Sequence, residues 1–170
     1  MKKIIPNEEY CIGCKLCEVY CALEHSKSKN IHKFKQEYPN PQNRVIVELK
    51  GDTSFALSCR HCDDAPCVEA CISGAMQKNP ETGVITNDHD KCVGCWMCVM
   101  VCPYGAVHQG KHQKVSLKCD FCPDSDDPAC VKNCPQEALV IVELPEGHQS
   151  GDRHPSKQGC PVPDRANREK

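Results

Sequence analysis

Hydrophobic residues run along this chain in short pieces rather than in long periodic stretches. Arg44-Val45-Ile46-Val47-Glu48-Leu49 is followed by the polar turn Lys50-Gly51-Asp52 and then by Thr53 to Leu57, which predicts a β-hairpin. Between Ala75 and Asp88, the turn Asn79-Pro80-Glu81-Thr82-Gly83 leads into Val84-Ile85-Thr86 and predicts a second hairpin. Ala138-Leu139-Val140-Ile141-Val142 predicts a last strand. Three phrases repeat: Cys71-Ile72-Ser73-Gly74-Ala75-Met76, Cys102-Pro103-Tyr104-Gly105-Ala106-Val107 and Cys134-Pro135-Gln136-Glu137-Ala138-Leu139. Each predicts a short helical turn whose final apolar residue opens a strand. Helical spacing is otherwise confined to short stretches, so the expected fold class is α+β, with short helices, β-hairpins and little regular structure.

Two segments stand outside this pattern. Residues 22–43 are polar, carry Lys27, Lys29, Lys33 and Lys35, and include Pro39-Asn40-Pro41. They read as a basic linker, either a solvated loop or a strip that docks an acidic partner. Residues 144–170 are rich in proline and glycine and poor in apolar residues, and read as a disordered tail. No segment approaches the run of about 18 apolar residues that a membrane span needs. Met1-Lys2-Lys3-Ile4-Ile5-Pro6 opens without the apolar stretch of a secretory signal, so the expected location is cytoplasmic.

Composition changes the picture through one residue type. Hydrophobic residues make up 39% of the 170, but that share includes 17 cysteines, so the core of ordinary apolar side chains is thin. A thin core needs staples, and in a reducing compartment these are metals rather than disulfides. The net charge of −2 marks no nucleic-acid binder. No G-x-G-x-x-G, phosphate-binding loop or nucleophile–base pair is present, so the chain is not expected to be an enzyme by itself.

Sixteen of the cysteines fall into four groups of four: Cys11, Cys14, Cys17, Cys21; Cys59, Cys62, Cys67, Cys71; Cys92, Cys95, Cys98, Cys102; and Cys119, Cys122, Cys130, Cys134. Groups one and three have the C-x2-C-x2-C-x3-C spacing of bacterial ferredoxins, and Pro103 completes the run after group three. Three thiolates on a curled loop reach three irons of a [4Fe–4S] cubane. The fourth corner faces away and takes the last cysteine of another group, so the groups must come in pairs. Gly13 and Gly94 let the backbone approach closely inside those loops. Zinc is the competing reading, but a tetrahedral zinc site takes two C-x2-C pairs and has no use for the third cysteine that follows each first pair. Groups two and four support each other, because Asp63-Asp64-Ala65-Pro66-Cys67-Val68-Glu69-Ala70-Cys71 echoes Asp126-Asp127-Pro128-Ala129-Cys130-Val131-Lys132-Asn133-Cys134. His61 could ligate as imidazoles do in Rieske centres, but reads better as a hydrogen-bond donor near a cluster. Trp96 reads as a shield of the group-three cluster against water.

The phrases Cys11-Ile12-Gly13-Cys14-Lys15-Leu16-Cys17-Glu18-Val19-Tyr20-Cys21, Ser58-Cys59-Arg60-His61-Cys62-Asp63-Asp64-Ala65-Pro66-Cys67, Lys91-Cys92-Val93-Gly94-Cys95-Trp96-Met97-Cys98 and Lys118-Cys119-Asp120-Phe121-Cys122 carry a resemblance. They resemble the four-cluster ferredoxin-type electron-transfer subunits of the dimethyl sulfoxide reductase superfamily. Within these, the chain is most similar to iron–sulfur proteins associated with carbon monoxide dehydrogenase. The resemblance covers residues 3–143. It implies four [4Fe–4S] clusters in one domain over 1–143, built as two pseudo-repeated dicluster modules: groups one and four form one, and residues 59–102 are inserted as the other. It further implies crossed ligand sets: Cys11/Cys14/Cys17/Cys134, Cys119/Cys122/Cys130/Cys21, Cys59/Cys62/Cys67/Cys102 and Cys92/Cys95/Cys98/Cys71. With about −2 on each cluster the loaded protein would carry about −10.

The implied function is electron transfer between a catalytic redox subunit, with carbon monoxide dehydrogenase first, and another oxidoreductase such as a hydrogenase or a flavin or NAD(P) enzyme. Alternatives are a small subunit of a tungsten or molybdenum aldehyde oxidoreductase, of formate dehydrogenase or of a hydrogenase complex, and, from a different class, a metal-stapled interaction protein without a redox role. All fit an anaerobic metabolism. Cys160 is left over as a free thiol, since every cluster already has four candidates. Cys160→Ser is therefore expected to leave iron content and electron transfer unchanged, and loss of about four irons in that variant would show that the frame is misassigned.

Overall fold

The residues joined first are the most distant in sequence. In the computed structural model, which describes residues 2–143, strand β1 (Lys2–Pro6) pairs antiparallel with β8 (Leu139–Glu143), Ile4 opposite Ile141 and Ile5 opposite Val140. Apolar partners across this ladder and burial of Ile4, Leu139 and Val140 hold the two ends of the chain together. The pairing brings helix α1 (Leu16–Glu24) against α4 (Ala129–Lys132). Groups one and four are therefore neighbours in space. The tail over 144–170, with Cys160, lies outside the described residues.

Three hairpins fill the interval. Strands β2 (Ile46–Lys50) and β3 (Thr53–Leu57) pair around Gly51, whose φ of 59° suits the tight turn. Strands β4 (Met76–Lys78) and β5 (Ile85–Asn87) pair where the sequence predicts, and the Asn79 side chain accepts the N–H groups of Glu81 and Thr82 in the turn. Strands β6 (His108–Gln109) and β7 (Ser116–Leu117) form a third hairpin. The third hairpin and β1 carry no period-2 pattern of their own, and burial against the rest of the molecule holds them in place. Helices α2 (Pro66–Glu69) and α3 (Met97–Val101) pack together in the inserted segment. The described residues thus form a mixed helix–strand fold with few helices and no closed barrel.

Two expectations narrow. The phrases after Cys71, Cys102 and Cys134 are single hydrogen-bonded turns: the N–H of Gly74, Gly105 and Glu137 each donates to the cysteine carbonyl three residues back. Each of these donors has a left-handed backbone, with φ of 66°, 63° and 51°, which stops a helix from propagating. The helices instead precede these cysteines, between the third and fourth of each group. Residues 22–43 are also not all linker, since Ala22–Glu24 complete α1 and Phe34 and Ser26 are buried.

Cysteine supplies much of the interior. The larger apolar cluster joins Ile4, Val45, Val47, Ala56, Ala106 and Leu139 to Cys17, Cys21, Cys59, Cys119 and Cys130. The smaller joins Ala65, Met76, Ile85 and Val107 to Cys67 and Cys98. Ile85 is the largest fully buried side chain. Ile85→Ala should cost about 2–5 kcal/mol, read as a lower midpoint in an anaerobic denaturant titration.

Candidate metal centres

Cys11 and Cys14 lie on the loop that enters α1, Cys17 lies in its first turn, and Cys134 comes from the far end of the described residues. Together they line one cavity, with Pro6, Val47 and Ala138. Cys92 and Cys95 on the loop into α3 and Cys98 in its first turn line a second cavity with Cys71, beside Trp96 and Ser116. The two loops share one backbone shape, because Gly13 and Gly94 have φ of 66° and 68°, and Lys15 and Trp96 have φ of 61° and 63°. These left-handed residues curl each loop, and all three of its cysteines line the cavity.

The other eight cysteines gather more deeply. Burial pushes the Cys119 thiol up to about 12 and Cys122 to about 11, and Cys21 adds to both. Cys130 is raised further by burial, then by Cys119, Cys21 and Cys122. Burial likewise raises Cys67 to about 11, with Cys59, Cys102 and Cys62 adding and Lys118 opposing. Cys119, Cys122, Cys130 and Cys21 are therefore one neighbourhood, and Cys59, Cys62, Cys67 and Cys102 another. These neighbourhoods touch one another. Cys17 is close enough to act on Cys130, and Cys59 on Cys119. Cys71 then packs into the cluster that contains Cys67 and Cys98.

All sixteen described cysteines are free thiols rather than disulfides. Raised pKa values mean that the buried sets stay protonated unless a cation holds them as thiolates. The surroundings suit thiolates bound to iron. Backbone N–H groups of Arg44, Met76 and Ala138 donate to the sulfurs of Cys21, Cys71 and Cys134, at 3.2, 3.4 and 3.2 Å. Burial opposes a thiolate at Cys71, but the N–H of Met76 and the Ser73 hydroxyl outweigh it and lower its pKa.

His61 supplies a second fit. It is 1% exposed, its Nδ1 accepts the N–H of Ile85 at 2.9 Å, and Nε2 has no hydrogen-bond partner. Burial, then Lys118 and Lys3, lower its pKa to about 3, so the ring is neutral and carries its proton on Nε2. An orphaned buried donor beside Cys59 and Cys62 suits an acceptor such as a cluster sulfide. Residues of this kind could hold [4Fe–4S] clusters.

The centres have partners that the cysteine frame alone does not reveal. Asp120 accepts from the Arg44 guanidinium and, at 3.1 Å, from His25 Nε2, while His25 Nδ1 donates to the Cys21 carbonyl at 2.7 Å. Burial opposes the charge on His25, but the bonds to Asp120 and Cys21 outweigh it and lift its pKa to about 9. Asp120 is held well below the usual carboxylate range by His25 and Arg44 despite burial. His25, Arg44 and Asp120 are 95 and 76 positions apart, so no local signal marks them. Cys14 and Cys95 are exposed. Exposed apolar residues lie on or against the same loops, Ile12 and Leu49 on the Cys14 side and Val93 on the Cys95 side.

A ferredoxin-like iron–sulfur protein is the class that this fold and these centres define. Residues 53–144 match the family described as a 4Fe-4S dicluster domain, and the chain belongs to that family. It is 36% identical to an iron–sulfur protein of Rhodospirillum rubrum, over 82% of this chain and 82% of that protein. It is 35% identical to the electron transport protein HydN of Escherichia coli strain K12, over 82% and 87%. It is 32% identical to the thiosulfate reductase electron transfer subunit PhsB of Salmonella typhi, over 84% and 76%. A match to the putative oxidoreductase AegA of Escherichia coli strain K12, at 35% identity, covers 82% of this chain but 21% of that protein. The chain is an iron–sulfur electron-transfer protein, similar to relatives that are named as such.

The loop glycines offer a direct check. A Cβ on Gly94 would sit 2.5 Å from the Lys114 carbonyl oxygen, whereas one on Gly13 would meet the movable tip of Leu49 at 2.9 Å. Gly94→Ala should therefore lower iron content and thermal stability more than Gly13→Ala, measured on proteins purified side by side without oxygen.

Proposed function

We propose that this chain is a wire of four [4Fe–4S] clusters, held by the crossed sets Cys11/Cys14/Cys17/Cys134, Cys119/Cys122/Cys130/Cys21, Cys59/Cys62/Cys67/Cys102 and Cys92/Cys95/Cys98/Cys71. The observation that carries this reading is the cavity that Cys134 shares with Cys11, Cys14 and Cys17, across more than a hundred residues of sequence. The cavity shared by Cys71 with Cys92, Cys95 and Cys98 supports it from the other end. On this reading residues 1–143 form one domain, with groups one and four as one dicluster module and residues 59–102 inserted as the second.

The clusters supply one-electron oxidation and reduction. The chain's own residues do the rest: backbone N–H groups offset thiolate charge, the buried middle sets exclude water, and His61 donates from Nε2. The exposed Cys14 and Cys95 ends, each with exposed apolar residues on or against its loop, are where redox partners dock. The first partner is a catalytic redox subunit, with carbon monoxide dehydrogenase foremost on the sequence resemblance. A subunit role in a tungsten or molybdenum oxidoreductase, formate dehydrogenase or hydrogenase complex is the second reading, and the likeness to PhsB, named as an electron transfer subunit of a thiosulfate reductase, supports a subunit role in a redox complex. No described helix is long and apolar enough to cross a membrane. A cytoplasmic location is part of the proposal.

Metal analysis of anaerobically purified protein should find about sixteen irons with matching acid-labile sulfide per chain, and zinc in their place would support an interaction protein instead. Cys21→Ser should then alter the paramagnetic signal of the Cys119 set, and Cys134→Ser that of the Cys11 set. If Cys21→Ser adds nothing to Cys11→Ala but adds damage to Cys119→Ala, each group binds its own cluster and the crossing is wrong.

A further inference from the structure

Lys118 stands immediately before Cys119 and is only 3% exposed. A buried ammonium normally has a carboxylate beside it, because removing an unpaired charge from water is costly. None of the ion pairs among the described residues includes Lys118. Its Nζ donates to two backbone carbonyls instead, those of Ile85 and, at 2.6 Å, Cys119. The nearby carboxylates are committed elsewhere: Asp63 to Lys3 and Lys78, Asp120 to Arg44 and His25. Two carbonyl dipoles solvate an ammonium only partly. A negative charge is missing from its surroundings.

The position of the ammonium indicates where that charge belongs. It donates to the Cys119 carbonyl, and to that of Ile85, which packs in the same apolar cluster as Cys67. These cysteines belong to the two middle sets of the proposed wire, and Cys59 and Cys119 are where the sets approach each other. Ile85 holds the arrangement from β5. Its carbonyl accepts from Lys118 and its N–H donates to His61, so one peptide unit orients both the cation and the orphaned donor. Ile85 is itself 1% exposed, which leaves that peptide little freedom to move.

We propose that Lys118 is the fixed counter-charge of the two middle clusters, placed at the junction of the two dicluster modules so that an electron crossing between them is stabilised there. The proposal rests on the four-cluster reading. Each middle cluster gains a negative charge when it is reduced, and a permanent cation between them favours that form. Removing the cation leaves the end sets around Cys14 and Cys95 little affected, because they are more exposed and screened by water.

Three substitutions separate charge from packing: Lys118→Met removes charge and donor, Lys118→Gln keeps a donor without charge, and Lys118→Arg keeps the charge. Lys33→Met, on the exposed excursion, is the control. Each protein is first assayed for iron, since a wild type without about sixteen irons refutes the four-cluster reading and not the role of Lys118. Redox titrations followed by paramagnetic resonance then decide the rest. In the Met and Gln variants, two of the four clusters should become harder to reduce, by at least tenfold in the reduced-to-oxidised ratio at fixed potential, about 59 mV for one electron. The Arg variant and the control should keep wild-type potentials. Should Lys118→Met fail to load iron, the Gln variant carries the comparison. Unchanged potentials in a fully loaded Gln variant, an equal shift in all four clusters, or equal loss of iron in all three Lys118 variants would overturn the proposal.

Discussion

A thiolate taken out of water must be compensated, and nearly every local feature of this protein answers that requirement. Left to themselves, the buried thiols of Cys17, Cys119, Cys122 and Cys67 hold their protons, because burial raises their pKa values to about 11 or 12. Iron removes the difficulty by supplying positive charge, and the chain supplies what remains. Amide N–H groups point at the sulfurs of Cys21, Cys71 and Cys134. The left-handed residues at Gly13, Lys15, Gly94 and Trp96 bend the backbone into loops that can do this. Regular structure is short because long helices and strands would spend these amides on their own ladders.

The same requirement explains why distant parts of the chain meet. The three cysteines of one loop approach a centre from one side, so a fourth donor has to arrive on another segment. Pairing of β1 with β8 delivers Cys134 beside Cys11, Cys14 and Cys17, while packing of α1 on α4 delivers Cys21 beside Cys119, Cys122 and Cys130. Arg44 secures this junction twice, since its backbone N–H donates to Cys21 and its guanidinium to Asp120. The polar excursion of residues 22–43 is pinned as well, by buried Phe34 and by Glu37, which accepts the N–H groups of Lys27 and Ser28. It leaves the cysteine frame at one anchored point and re-enters at another.

Burial among the cysteines is uneven. Cys14 and Cys95 face solvent, whereas Cys21, Cys119, Cys122 and Cys130 are all buried. The surroundings of the buried set therefore have the lower local dielectric and the greater need of compensating charge. Lys118, Lys3 and the neutral His61 gather in that region, and their proximity is what lowers the His61 pKa beyond the effect of burial. In the proposed wire, the ends are shaped for partners and the middle for holding charge away from water.

Much of this was written in local sequence. Cysteine spacing marked sixteen donors, and Pro103 and the loop glycines marked the ferredoxin curl, because three donors on one loop are a short-range arrangement. The hairpins at β2–β3 and β4–β5 were legible for the same reason, since turn residues and strand alternation act over a few positions. Strand β1 and the hairpin β6–β7 were not, because their residues show no apolar–polar alternation and gain their shape from what they pack on. The phrases after Cys71, Cys102 and Cys134 were read as short helical turns, and each is a single turn, which shares the hydrogen bond of a first helical turn until a left-handed residue ends it. Tertiary structure alone decided that Asp120 receives His25 and Arg44, that Ile85 serves both His61 and Lys118, and that Lys118 is buried without a carboxylate. Those contacts join residues 24 to 95 positions apart. Charge and hydrogen bonding act through space, so no pattern of neighbours along the chain records them.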